Sequence, residues 1–126
     1  MAGISFGAKA ESDWMVAGWA FRQVLDDLET YVSGDQGVVV ELNAARHLGF
    51  LSVPDLSAPL QVAVRGALRS MCADIIDGRY SSGIGNVHPD WESRKLYADG
   101  IWMLRTAIDS GDAELEYGSQ GWAKTE

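Results

Sequence analysis

Residues able to do chemistry gather between positions 74 and 90. His88 and Asp90, with Pro89 between them, can supply two metal ligands, or a base with its orienting carboxylate, and are the candidate catalytic residues. Asp74 and Asp77 lie just upstream. Folded back onto His88, they would form an oxygen-rich cluster with one imidazole, the chemistry of a hard or intermediate divalent ion. That makes Asp74, Asp77 and His88 the candidate metal ligands. Arg79, Tyr80 and His88 are the candidate ligand-binding residues, with Arg79 orienting an anion. The plainer reading of each is structural: a loop histidine beside an aspartate that caps a helix, and two acids in a last helical turn.

Other motifs fail on context. The turn 83–86, Gly-Ile-Gly-Asn, resembles a phosphate-binding loop, but no strand precedes it and no Lys-Ser or Lys-Thr follows. Ser81 and Ser82 lack the strained elbow of a serine nucleophile. No catalytic set, metal or cofactor is therefore expected.

The elements that must position these residues read as helices. An apolar stripe of Trp14, Ala17, Phe21, Val24, Leu25, Leu28 and Val32 predicts a helix over 13–32, capped by Ser12 or Asp13. A second is expected over 36–48 and ended by Gly49, although Val38, Val39 and Val40 favour strand. Its apolar positions wrap most of the way round, so it should be largely buried. Residues 50–54 read as a connection. A third helix is expected over 58–77, with Pro59 in its first turn, where the missing N–H costs nothing. Its back carries small residues, Ala63, Gly66, Ser70 and Ala73. Residues 78–89 form a long loop, of the kind that tends to be functional.

A fourth helix, 90–109, is expected to end at Gly111. Leu96, Tyr97, Gly100, Met103, Leu104, Ala107 and Ile108 form its core stripe. The opposite side carries Trp91 and Trp102 among Arg94, Lys95 and Arg105. One core cannot shelter both sides, so the second face should meet the C-terminal tail or another chain. Met15 and Trp19, one turn apart on the first helix, offer a second such face, because Met and Trp are enriched at interfaces. The neighbouring Asp26, Asp27 and Glu29 read as a solvated acidic patch. In the tail, 112–126, the alternation at 114–117 reads as a strand that pairs with 3–7.

The expected fold is thus a single all-α, four-helix bundle-like domain over 1–126, with a short β-ribbon joining its termini. The composition is globular, with 47% hydrophobic and 22% charged residues. The net charge of −8 disfavours nucleic acid. No run approaches a membrane span and no secretory leader is legible, so a cytoplasmic protein is expected. The lone Cys72, in an apolar helix, fits a reducing compartment.

These features favour action by protein association, as a homodimer through Trp91, Trp102, Arg94 and Arg105, with Met15 and Trp19 joining. An immunity- or antitoxin-type inhibitor of a basic effector is a concrete version. The alternatives are a small-molecule-binding or enzymatic bundle with its pocket under the 78–89 loop, and a dimerising domain without a catalytic role.

Overall fold

The computed structural model describes residues 1–79 and 90–125, with side chains described through Leu115 in the last helix. It is mostly helical, with a small sheet added. The order is β1 (Ala2–Ser5), β2 (Asp13–Val16), α1 (Gly18–Val32), α2 (Gln36–Leu48), β3 (Phe50–Ser52), α3 (Ala58–Ile76) and α4 (Trp91–Thr125). Short 3-10 turns precede β2 and α3.

The sheet corrects the sequence reading at three places. The strand order is β2-β1-β3. β1 runs antiparallel to β2, pairing Ile4 with Trp14, and parallel to β3, pairing Ile4 with Leu51. Residues 13–16 are therefore a strand, not the first turn of a helix: Trp14 is buried while Asp13 and Met15 are exposed, a period of two. Residues 50–52, expected as a connection, pair along β1. The partners of β1 are thus β2 and β3, and the expected ribbon with the C-terminal tail is replaced by helix.

Local chemistry sets the helix ends. The Asp35 side chain accepts from the Val38 amide at 3.2 Å and starts α2, so the three valines enter a helix despite their β propensity. Gly49 ends it in the left-handed conformation, φ 74°. Only Val38, Leu42 and Ala45 of α2 are buried, fewer than the expected wrap-round burial. Pro59 sits in the first turn of α3, as read from the sequence.

α4 does not stop at Gly111. Its buried side is Tyr97, Ile101, Leu104, Ala107 and Ile108, whereas Leu96 and Met103, expected in the core, are 64% and 60% exposed. Packing against the sheet turns the inner face towards Gly100 and Gly111. A Cβ at Gly100 would lie 3.9 Å from the Trp14 ring. One at Gly111 would lie 2.5 Å from Phe6 Cβ and 2.7 Å from its carbonyl oxygen. Gly111 is therefore a close-approach glycine inside a helix, not a terminator. The core lies between these helices and the inner row Ile4, Trp14 and Leu51, with Phe6, Phe21, Leu28, Leu68 and Met71 fully buried around it. Among the described residues no helix is long and apolar enough to cross a membrane.

Candidate functional site

The outer face of α4 is held in place from within. Asp90 caps the helix, its carboxylate accepting from the Ser93 amide at 2.9 Å. Trp14 Nε1 donates to the Gly100 carbonyl oxygen at 2.9 Å, a tie from β2 to α4. Tyr97 Oη donates to Asp27 Oδ2 at 2.5 Å, and Gln23 Nε2 to Asp27 Oδ1 at 3.0 Å, joining α4 to α1 through a buried carboxylate. Arg69 bridges to Asp109 at 2.7 Å and also to Asp112, joining α4 to α3.

With its inner side so occupied, α4 turns Trp91 and Trp102 outwards, 66% and 54% exposed. Arg94, Lys95, Ala98 and Arg105 share the exposed side. The tryptophans are eleven residues apart, and so are Arg94 and Arg105. Eleven residues come within about 20° of three full turns, so each pair is stacked along one line of the helix. The Arg105 guanidinium lies 5.9 Å from the centre of the Trp102 ring. At an exposed site this cation–π contact contributes about 0.5–1 kcal/mol, enough to bias the ring's orientation but not to bury it. Lys95 is paired with Asp99 at 2.8 Å. Arg94 and Arg105 form no ion pair among the described residues.

The second expected face is divided. Met15 is exposed and, with Trp14, Met103 and Ala107, lines a shallow hollow of about 280 Å³ beside α4. Trp19 instead packs partly buried against the core. Of the acidic patch, Asp27 is only 2% exposed and belongs to the buried cluster described above. Asp26 and Glu29 are both bridged by Arg46, at 3.0 and 3.3 Å.

Around residues 74–79 the acids are neutralised by their own neighbour. Arg79 bridges to Asp74 at 3.0 Å and to Asp77 at 2.9 Å. The Tyr31 hydroxyl donates to Asp74 at 2.7 Å, and this bond, followed by Arg79, holds the carboxyl below its ordinary range. Arg79 is thus committed to two carboxylates rather than offered to an anion. Tyr80, the serines at 81 and 82, the 83–86 turn and His88 lie outside the described residues. Among the described residues no group of three or more His, Cys, Asp or Glu could hold a metal ion.

Two polar features were missed in the sequence. Arg65, in the middle of α3, is buried: Nη1 bridges to Asp112 at 3.1 Å, Nη2 donates to the Phe6 carbonyl at 2.9 Å, and Nε has no hydrogen-bond partner among the described residues. It lines a cleft of about 510 Å³ with Ser5, Gln61 and Glu114. Glu114 accepts from the amides of Ala8 at 3.0 Å and Lys9 at 3.2 Å, and from the Ser12 hydroxyl. These bonds, Ser12 foremost, keep its carboxyl more acidic than usual. The available signal was spacing: Arg65 and Arg69 lie one turn apart on α3, as Asp109 and Asp112 do on α4. Both sets do structural work, fastening the N-terminal segment and α3 to α4.

Comparison with known proteins finds no matching family, curated protein or solved structure.

Proposed function

We propose that the protein acts by association, and that the outer face of α4 is where two copies meet. One observation carries this reading: two tryptophans stand more than half exposed, in line, on a helix whose opposite side is filled. Each ring has about 150 Å² to bury. At about 25 cal/mol per Å² that is about 3–4 kcal/mol per ring before the costs of association. Four rings supply about 600 Å², half of the roughly 1,200 Å² at which stable interfaces begin. The stems of Arg94, Lys95 and Arg105, with Met103 and Met15 on the flank, are positioned to supply the rest.

The charge distribution agrees. On a chain of net charge −8, Arg94 and Arg105 stand on this face with no ion pair among the described residues, beside Lys95 paired with Asp99, while Arg46, Arg65, Arg69 and Arg79 are spent on ion pairs elsewhere in the chain. A dimer closed over α4 would turn its acidic sides outwards, as an immunity- or antitoxin-type inhibitor of a basic effector needs.

Sedimentation equilibrium tests the proposal. The wild-type chain is expected to be a dimer at micromolar concentration, and Trp102→Ala a monomer with an unchanged far-ultraviolet circular dichroism spectrum. A wild-type chain that stays monomeric at 100 times the working concentration would refute it.

A further inference from the structure

The stripe on α4 has a symmetry of its own. The midpoint of Trp91 and Arg105 falls at residue 98, and so does the midpoint of Arg94 and Trp102. Residue 98 is an exposed alanine on the same side of the helix. We infer that the two copies pack α4 against α4 antiparallel, with the two-fold axis passing at Ala98, so that each tryptophan lies level with an arginine of the other copy. This rests on the homodimer reading and specifies its register.

Three physical points support the geometry. Most homodimers have an isologous two-fold interface, in which residue i meets j and j meets i. The stripe satisfies that rule: under the two-fold, Trp91 meets Arg105 and Trp102 meets Arg94, each twice. Electrostatic complementarity follows, because a guanidinium is drawn to the negative face of an indole ring, whereas a parallel, in-register pair would set Arg94 on Arg94 and Arg105 on Arg105. Lastly, helices approach to 8–10 Å depending on the side chains where they cross. Ala98 is the small residue of the stripe, placed midway between the large ones, with Arg94 and Trp102 about 6 Å along the axis on either side and Trp91 and Arg105 about 10 Å.

Cysteine crosslinking distinguishes the registers, and the native thiol does not interfere. Cys72 is fully buried, and desolvation pushes its pKa up to about 12, so it holds almost no thiolate near neutrality. In the antiparallel register the two residues 98 face each other, within the roughly 4.4–6.8 Å Cα separation of a disulfide. Two residues 105 would stand about 21 Å apart along the axis.

Ala98→Cys is therefore expected to crosslink under mild oxidation and Arg105→Cys is not. Crosslinking of Arg105→Cys would overturn the register in favour of a parallel pair. A chain that sediments as a dimer while Ala98→Cys stays reduced and uncrosslinked would also overturn it, leaving the homodimer reading intact. A monomeric wild-type chain would remove both. Because Ala98→Cys is a small, exposed change, circular dichroism of that variant is expected to match wild type, so a negative result is not a failure to fold.

Discussion

Single side chains divide α4 into a side that cannot change and a side that can. At Gly111 a methyl group would be driven into Phe6 Cβ and its carbonyl oxygen. Gly111→Ala should gain up to about 1 kcal/mol of helix propensity, and overpacking of this kind costs about 1–3 kcal/mol, so net destabilisation is expected in urea denaturation. Gly66, on the back of α3, has nothing among the described residues within 4 Å of an added methyl. There Gly66→Ala should stabilise by about 0.5–1 kcal/mol. An equal response of the two would refute the close-approach role of Gly111. Tyr97→Phe removes the 2.5 Å bond to the buried Asp27 carboxylate and should cost about 1–3 kcal/mol, because a buried acceptor loses a donor. The same residues show what the sequence could and could not say. A glycine after an apolar run looks alike whether it stops a helix or lets one touch a neighbour; only the position of Phe6 decides. Asp27 reads as one acid among three on α1, and its burial depends on Tyr97, seventy residues away.

At the scale of elements, what was legible followed local rules and what was missed followed pairing across the chain. α2 keeps the bounds read from the sequence and stops at Gly49, and α3 starts with Pro59 in its first turn and ends just before Gly78. β3 has three residues and no pattern of its own, and β2 was hidden by a Trp that also fits a helical stripe; both exist because β1 lies between them. The eleven-residue spacing of α4 was present in the sequence, but its phase depended on which residues met Trp14 and Phe6. The clamp of the 8–12 segment onto α4 through Glu114 has a pH signature. The folded-state pKa of Glu114 is depressed, so its contribution is complete above the unfolded value of about 4.3 and is lost as pH falls through the folded value. Glu114→Gln should therefore lose stability at pH 7 and show a flatter stability profile than wild type below about pH 4.3. Amide exchange at Ala8 and Lys9 should speed up in that variant. Unchanged exchange at both amides would rule the clamp out.

For the whole molecule, the proposed self-association would make stability depend on concentration. A partner that binds the folded state alone raises the unfolding temperature by mass action, and in the proposed homodimer that partner is a second copy of the chain. The wild-type midpoint should climb with each tenfold rise in protein concentration, whereas Trp102→Ala should show a concentration-independent midpoint. At high dilution the two should converge, because Trp102 is more than half exposed in the single chain and its removal opens no core cavity. That convergence separates an interface residue from a structural one: if Trp102 supported the fold of its own chain, the variant would stay less stable at every concentration. Salt is a further discriminator. Cation–π contacts between desolvated rings and guanidinium groups should be screened less than exposed ion pairs such as Lys95 with Asp99, so the dimer should survive salt that weakens docking of any basic partner on the acidic sides. Both measurements follow from one physical asymmetry, a helix filled on its inner side and aromatic on its outer one.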